Sequence, residues 1–546
     1  MKRSTYPCSY PLGAHRPEGT RCSCSLGLPN ELLGYVFTLC TSYDGALFLP
    51  NTQSAPYASQ ALALASVCSH WCSLALSTPQ IWADIVILPR TATSRDRQRN
   101  VHLLEMHLDR SNNVPVTLSL PDPSMGVDQL LWGTLRAKLD PKRIIHFRFS
   151  VGPREFILEE VIHSLFMETR SGAENEEFTL HFPYLESITT RYDGVQALLE
   201  RCTFPRLHTL SIFNASHVYP TDFTHTLTFP WAQITTLYFH VYSGTEVSSI
   251  LKSCPLLRSL YLCVNEEAPE LQSRSSCEVP FLKRLSVSVQ TSGIAEAPNL
   301  TVALLGSLMC PRLEELSIRA MGLARWRTPV HCSVDDALES FLQGSGCGLK
   351  KLMIDNIPLS ISIRFLARLP ELRYLVLGEV ITSPGQNGSA IAMRNVLNAL
   401  GGLPCTGEID CLHGGASLHS AHSHQLLPML KGFQMVLNGS QGWCTTENTL
   451  RAFETVIRSR ELSSASLIIP PNVVRRHREA QDVLGRLKAS DWSADIALRV
   501  ATRIGELEEV LVGSPRDSEV KNRKGVARSM YTTWFQTERS FWMEYE

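Results

Sequence analysis

The chain has 546 residues, of which 44% are hydrophobic and 19% are charged. This composition excludes an intrinsically disordered protein, and the length exceeds that of one ordinary domain, so we expect two or three folding units. The 51 basic residues are balanced by 52 acidic ones, which excludes a general electrostatic attraction to nucleic acid or to an anionic membrane. No apolar run approaches the roughly 18 residues of a membrane-spanning helix. We therefore expect neither nucleic acid nor a membrane as a partner.

Residues 1–27 are rich in Pro, Gly, Ser and Cys and contain no apolar core of a secretion signal. We expect this segment to be disordered. The sixteen cysteines of the chain are expected to be reduced thiols rather than a disulfide framework, because no export signal precedes them. This pattern favours a cytoplasmic or nuclear protein.

The first helical pattern is the stretch LPNELLGYVF, residues 28–37. Pro29 suits the first position of a helix, and Leu28, Leu32 and Val36 recur every fourth residue as an apolar stripe. A second helix is predicted over about residues 61–76, and a short turn follows at Thr78-Pro79. A unit this small is only marginally stable alone, so its surplus apolar surface indicates a partner that covers it.

The order L-P-x-E-L-L-x-x-V-F, followed by L-x-x-V-C-x-x-W-x-x-L-A-x-x-T-P-x-I-W, resembles an F-box, particularly the kind found in fungal proteins. The resemblance covers residues 28–90 and implies a small all-helical module that docks onto the SKP-family adaptor of a cullin ubiquitin ligase. It also implies that Trp82 packs in the module's own core. The residues that the resemblance implies would form or support the docking surface are Leu28, Pro29, Leu32, Val36, Phe37, Val67, Cys68 and Trp71. The alternative is an ordinary helical subdomain packed on the rest of the chain.

Residues 91–143 read as a helix, a strand and a second helix, which we interpret as a connector or an N-terminal cap. From residue 144 to about residue 400, a pattern of hydrophobic-x-x-hydrophobic-x-hydrophobic recurs nine times, mostly at the roughly 20 to 29 residue spacing of a leucine-rich repeat. The first positions of the nine copies are Ile144, Leu185, Leu207, Ile234, Leu257, Leu282, Leu313, Leu349 and Leu372. Because one such unit cannot bury its own strand and helix, the pattern predicts a stacked, horseshoe-shaped solenoid.

The positions between the repeated hydrophobic residues are expected to face outward on the concave side of the solenoid. They are rich in Arg, Lys and Tyr, which are frequent in protein interfaces. Such a strip would suit an acidic or phosphorylated segment of a client protein, while the alternative is an ordinary solvated face. The predicted client-binding residues are Tyr238, Arg258, Tyr261, Lys283, Arg284, Lys350, Lys351, Arg373 and Tyr374.

The repeat pattern fades towards the C-terminus. We expect residues 401–510 to form degenerate repeats or a helical cap, with HQLLPMLKGFQMVL among the helices, and residues 511–546 to form a tail rich in aromatic residues. A run of Cys and His residues between 405 and 424 lacks the spacing of a zinc site and is interpreted as a flexible loop. No phosphate-binding loop and no nucleophile turn is present. We therefore predict no catalytic residue, no metal and no cofactor.

Together these patterns predict an α/β protein with a small all-helical F-box module followed by a leucine-rich repeat solenoid. The resemblance implies a substrate-recognition subunit of an SCF-type ubiquitin ligase, which binds an SKP-family adaptor, through it a cullin ligase, and an unidentified protein client. The first alternative is a leucine-rich repeat scaffold outside any ligase, whose N-terminal helices only cap the solenoid. The second is an enzyme with a site that the sequence does not reveal.

Overall fold

The structure of the protein is a computed structural model, and most of the predicted repeat region lies within the part it describes. The described residues are 28–42, 59–87, 94–120, 129–149, 180–191, 202–213, 230–241, 244–265, 277–290, 304–321, 334–355, 363–378, 388–402, 426–437, 443–460, 462, 464–469, 482 and 497–502. The predicted disordered segment 1–27 and the predicted tail 511–546 lie outside these residues.

The chain begins with a helical unit, residues 28–42 and 59–82, that has a core of its own. It contains helices α1 (Asn30–Ser42), α2 (Gln60–Ala65) and α3 (Ser69–Ser77) and a 3-10 turn (Pro79–Trp82). The fully buried residues of this core are Leu33, Phe37, Ala61, Ala75, Ile81 and Trp82. The indole N–H of Trp82 donates to the carbonyl oxygen of Ala75 at 2.8 Å. Trp82 therefore closes the core of the unit, as the sequence predicts.

The predicted second helix is interrupted, which the sequence analysis missed. Helix α2 ends at Ala65 and α3 begins at Ser69. The Cys68 side chain caps α3, because its Sγ accepts a hydrogen bond from the Trp71 N–H at 3.5 Å. Such a cap satisfies an N–H that would otherwise lack a partner, and it makes a new helix start inside a continuous apolar pattern. The unit therefore has three short helices where the sequence predicts two.

In the described part of the chain, fourteen parallel strands follow in one sheet, and their order in the sheet is their order in the chain. The strands of this sheet are β1 (Asp84–Val86), β2 (Val116–Leu120), β3 (Ile144–Phe149), β5 (Ser187–Arg191), β7 (Thr209–Phe213), β8 (Thr236–Val241), β9 (Ser259–Asn265), β11 (Arg284–Gln290), β13 (Glu315–Met321), β14 (Lys351–Asp355), β15 (Tyr374–Gly378), β16 (Gly432–Val436), β17 (Ser464–Ile469) and β18 (Ala497–Thr502). The short strands β4 (Leu180–His181) with β6 (Cys202–Thr203), and β10 (Cys277–Glu278) with β12 (Leu308–Met309), form two separate parallel pairs.

The repeated hydrophobic positions explain this sheet. The register pairs Leu237 with Leu260, Leu260 with Leu285, and Leu285 with Leu316, so one leucine row crosses neighbouring strands. These side chains are at most 1% exposed. A buried row of this kind joins each repeat to the next, and a parallel sheet in chain order is what a repeat solenoid builds. The described helices between the strands are α4 (Ser94–Ser111), α5 (Gln129–Lys138), α6 (Gly244–Ser253), α7 (Val334–Ser345), α8 (Ile363–Ala367), α9 (Gly388–Leu400) and α10 (Trp443–Ser459).

The sheet is longer than the repeat pattern predicts, at both ends. Strand β1 lies inside the range assigned to the F-box module, and β2 lies inside the predicted connector. Downstream, the segment predicted as the helix HQLLPMLKGFQMVL contains strand β16, so that prediction was wrong. Four of the five residues of β16 are buried, and strands of a parallel sheet covered on both faces read as continuous apolar runs without a clear period.

The nine cysteines in the described part of the chain are all free thiols. Burial raises the pKa of the Cys254, Cys263 and Cys310 thiols to about 12. A thiol with such a pKa carries almost no thiolate at neutral pH, so these three side chains act as small core residues rather than as nucleophiles.

Candidate protein-interaction surfaces

The outer face of the helical unit carries a group of exposed apolar side chains. Helix α1 and Leu28, two residues before it, present five, and the link between α2 and α3 adds a sixth. These are Leu28, Leu32, Tyr35, Val36, Leu39 and Val67, with exposed fractions of 43%, 52%, 62%, 41%, 47% and 52%. The five from the α1 region recur at spacings of three and four residues, which places them on one side of the helix. We call these six residues the α1 face.

The residues that the sequence predicts for adaptor binding divide into two groups. Leu28, Pro29, Leu32, Val36 and Val67 are exposed on the outside of the unit. The other three are buried or half-buried, so they would support such a surface rather than form it. Phe37 is 0% exposed, Cys68 caps α3, and the half-buried ring of Trp71 lies 4.9 Å from the ring of Phe37.

Tyr35 and Leu39 belong to the α1 face and were missed in the sequence analysis. Both follow Leu28 and Leu32 at helical spacing, so the signal that would have found them is present. The motif of the resemblance does not specify these two positions, so the resemblance did not assign them to the surface. Helical geometry alone assigns them to the same side.

His107 of α4 connects the helical unit to the solenoid. Its Nδ1 lies 3.1 Å from the carbonyl oxygen of Trp82, and its Nε2 lies 2.9 Å from the hydroxyl of Ser59. Because a carbonyl oxygen can only accept, Nδ1 carries the proton and Nε2 accepts from Ser59. Burial lowers the pKa of His107, which favours this neutral form. One uncharged imidazole therefore links α2, the 3-10 turn and the first solenoid helix.

The first residue of β1, Asp84, gives a pH-dependent prediction at the same junction. Burial raises the pKa of the Asp84 carboxyl from 3.8 to about 6, although the nearby Arg148 guanidinium lowers it. Since the folded state holds the proton more tightly than the unfolded chain, this carboxyl's contribution to stability is fully present below pH 3.8 and is lost as the pH rises through about 6. We expect the Asp84→Asn variant to gain stability relative to wild type over that interval, by up to about 3 kcal/mol. Denaturant midpoints of both proteins at several pH values measure this gain; a difference that does not change with pH would contradict it.

The predicted client-binding residues occupy three positions along each strand. Arg258, Lys283, Lys350 and Arg373 come immediately before a strand, and Arg284, Lys351 and Tyr374 are the first residues of one. Tyr238 and Tyr261 are third residues of their strands. Because side chains alternate along a strand, the first and third residues lie on the sheet face opposite the leucine row.

The side chains on this sheet face pair with one another, so part of the predicted strip is not available to a client. Lys351 is 8% exposed and its Nζ lies 3.0 Å from a carboxylate oxygen of Glu315, whose other oxygen lies 3.0 Å from Arg284. The ammonium of Lys351 also lies 5.8 Å from the centre of the Tyr374 ring. We call this row of contacts the charge ladder. Strand register explains it, because its members are direct partners on consecutive strands: Arg284, Glu315, Lys351 and Tyr374.

The two tyrosines also contact each other on this face. Tyr261 is 6% exposed, and its ring stacks on that of Tyr238 with the centroids 4.3 Å apart. The two residues are register partners on β8 and β9. A second ion pair joins Arg319 and Asp355 at 2.9 Å on the same face. The sheet face is therefore an internally paired surface, and the basic residues that remain accessible lie elsewhere.

The accessible basic residues lie at the edge where the strands begin. Arg258, Lys283 and Arg373 are exposed, whereas Lys350 is half-buried and paired with Glu314 at 3.0 Å. In the sequence, the residues before each strand and the residues within each strand read as one basic and aromatic strip. The structure separates them, because the residue before the strand lies in the entering turn and does not follow the alternation of the sheet.

Several sequence predictions fall outside the described residues. One of them is the run of Cys and His between 405 and 424, which the sequence predicts to be a flexible loop. Within the described ranges, no group of three or more His, Cys, Asp or Glu side chains is arranged to hold a metal ion. No helix in the same ranges combines the length and apolar character required to cross a bilayer.

Comparisons with known proteins provide little further information. No protein-family profile matches the sequence. No curated protein matches it either. Among solved structures, the chain is similar to one described as the "Crystal structure of Rad7 and Elc1 complex in yeast", with 13% sequence identity and a TM-score of 0.34 over 75% of this chain and 90% of that one. At that TM-score the similarity carries no inference about function.

Proposed function

We propose that this chain is a substrate-recognition subunit of an SCF-type cullin ubiquitin ligase. In this proposal the helical unit is an F-box module that binds an SKP-family adaptor. The parallel sheet and its helices are a leucine-rich repeat horseshoe that holds a protein client. The observation that carries the proposal is the α1 face, which leaves six large apolar side chains exposed on a unit that already has a complete core.

The placement of this face favours adaptor docking over the scaffold alternative. If the N-terminal helices only capped the solenoid, Leu28, Val36 and Trp71 would be buried against the repeats. Leu28 and Val36 are instead 43% and 41% exposed, and Trp71 packs on the helical unit's own core. Exposed apolar side chains grouped in this way are typical of a surface that a partner covers.

The junction between the helical unit and the sheet supports the same proposal, because a substrate-recognition subunit has to hold its client at a defined position relative to the ligase. The contacts of His107 with Ser59 and Trp82 fix the helical unit against the start of the sheet. Met106, the residue before His107, packs against the core of the helical unit. A rigid connection keeps the client within reach of the transfer enzyme and so raises the local concentration of its lysines. The chain itself makes and breaks no bond in this proposal.

Co-purification with an SKP-family adaptor tests the proposal. Leu32→Asp places a charge in the middle of the α1 face, and we expect it to abolish recovery of the adaptor because that charge would be desolvated in the complex. Leu130→Asp is the matched control, since Leu130 is 60% exposed on α5, a helix outside the helical unit. Wild type and the control should both retain the adaptor. Failure of the folded wild-type chain to retain any adaptor would refute the proposal.

A further inference from the structure

The turns that lead into the strands share a feature that the repeat pattern does not explain. Seven of them read Pro-x-Leu, and the residue between Pro and Leu varies while the Leu is buried. Several of these middle residues are large and exposed. The middle residues, in strand order, are Tyr184, Arg206, Leu256, Phe281, Arg312, Glu371 and Met429.

Two residues after each middle residue comes the polar residue that precedes the strand, and five of these seven residues are exposed. Backbone hydrogen bonds align these positions, since the Lys283 N–H donates to the Arg258 carbonyl at 2.8 Å and the Glu314 N–H donates to the Lys283 carbonyl at 2.9 Å. Neighbouring strands lie about 4.8 Å apart. The turns therefore present two parallel rows of exposed side chains along one edge of the solenoid.

Between β9 and β13, the two rows combine apolar and basic side chains. Leu256 is 50% exposed and Phe281 is 40% exposed, and the guanidinium of Arg312 lies over the Phe281 ring, 5.0 Å from its centre. Arg258 and Lys283, two residues after Leu256 and Phe281, are exposed. We call Leu256, Arg258, Phe281, Lys283 and Arg312 the edge patch.

The positive charge of the edge patch is not neutralised by the rest of the described chain. None of its three basic side chains forms an ion pair with a described residue. The next position along the edge, Glu314, is paired with Lys350 at 3.0 Å. Arg373 and Lys431 are exposed beyond that pair, while Glu371 is the acidic residue on that side. The edge therefore carries a net positive charge on a chain whose overall net charge is -1.

We propose that the edge patch binds an acidic linear segment that carries apolar side chains. Charge complementarity selects the acidic residues, and Leu256 with the ring of Phe281 provides contact for aliphatic or aromatic ones. If the segment continues from the edge patch past Arg373 to Lys431, it crosses from β9 to β16. It then covers five strand spacings, about 24 Å, and needs about seven residues in an extended conformation. A single-stranded nucleic acid fits less well, because the aliphatic Leu256 offers no stacking surface and the basic side chains are few. The proposal rests on the proposed function in one respect, namely that the segment belongs to the ligase client.

Selection from a displayed library of random short peptides, with the complete chain as the target, tests this inference. We expect the enriched peptides to be acidic and to contain Leu, Phe or a similar residue. Binding of one such peptide should weaken at least about tenfold in Arg258→Glu/Lys283→Glu and should fall with added salt. In Leu256→Ser/Phe281→Ser it should weaken by a similar factor. Lys142→Glu is the matched control, because Lys142 is exposed in the turn Pro141–Arg143, far from the patch in sequence, and its binding should stay within about twofold of wild type.

Three results would overturn the inference. The first is the absence of any enriched peptide, or enrichment of peptides without an excess of acidic residues. The second is equal binding by the charge-reversed variant and wild type. The third is a preference of the patch for a thymidine oligonucleotide over the peptides. Adaptor co-purification of the same variants keeps the two proposals apart, since unchanged peptide binding by the charge-reversed variant of a chain that retains the adaptor refutes only the edge patch.

Discussion

Replacement of Glu315 by Ala is expected to lower the free energy of unfolding by about 3 to 5 kcal/mol. Glu315 is 7% exposed and holds two cations, Arg284 and Lys351, each at 3.0 Å. Lys351 is itself 8% exposed, so the variant leaves a buried ammonium without its carboxylate. The loss of a partner from a buried pair is costly because the remaining charge stays desolvated. Chemical denaturation of the complete chain measures the effect.

The adjacent residue provides the control. Glu314 is paired with Lys350 at the same distance of 3.0 Å, but the two side chains are 37% and 40% exposed. Solvent screens such a pair, so Glu314→Ala should change stability by at most about 1 kcal/mol. The two variants remove the same chemical group from neighbouring positions. Equal losses of unfolding free energy in the two variants would show that burial does not determine how much these ion pairs stabilise the protein.

Replacement of Gly378 by Ala is expected to destabilise the sheet by about 1 to 3 kcal/mol or more. A Cβ on Gly378 would approach the Asp355 Cα to 2.8 Å and would overlap the Asp355 carboxylate. That carboxylate is 2.9 Å from Arg319, and both side chains are almost fully buried. The added methyl group therefore has to displace either the backbone of β14 or a buried ion pair. The midpoint of denaturant unfolding should fall accordingly.

Gly344→Ala is the matched control for this prediction. Gly344 lies in α7, and no atom outside that helix's own backbone lies within 4 Å of the position of an added Cβ. Alanine is favoured over glycine inside a helix, so this variant should be neutral or more stable by up to about 1 kcal/mol. Unchanged stability of the Gly378 variant would mean that Asp355 can move aside without loss.

The repeat architecture could be predicted from the sequence because each copy carries its own signal. The buried leucine row depends on residues such as Leu260 and Leu285, which recur at a nearly constant spacing. Strand β16 lacks that signal, since both of its faces are mostly buried and its apolar run fits a helix equally well. The break between α2 and α3 was also missed, because a cysteine cap is rare and Cys68 fits the apolar stripe of a continuous helix.

The candidate surfaces were only partly predictable, because exposure depends on neighbours that are distant in sequence. The exposed stripe of α1 follows from helical spacing, whereas the burial of Phe37 depends on its contact with Trp71. On the solenoid, the composition of the strip indicated a basic surface. Pairing of Lys351 with Glu315 across two strands removes part of that surface, and strand register cannot be read from one repeat alone.

The measurement that tests the central claim most directly is the affinity of the complete chain for an SKP-family adaptor, by titration calorimetry. The proposal predicts saturable binding by wild type and by Leu130→Asp, and binding at least about 30-fold weaker by Leu32→Asp. The same result would assign the exposed α1 face to the adaptor. A folded wild-type chain that gives no heat of binding, or a Leu32→Asp variant that binds as tightly as wild type, would contradict the account.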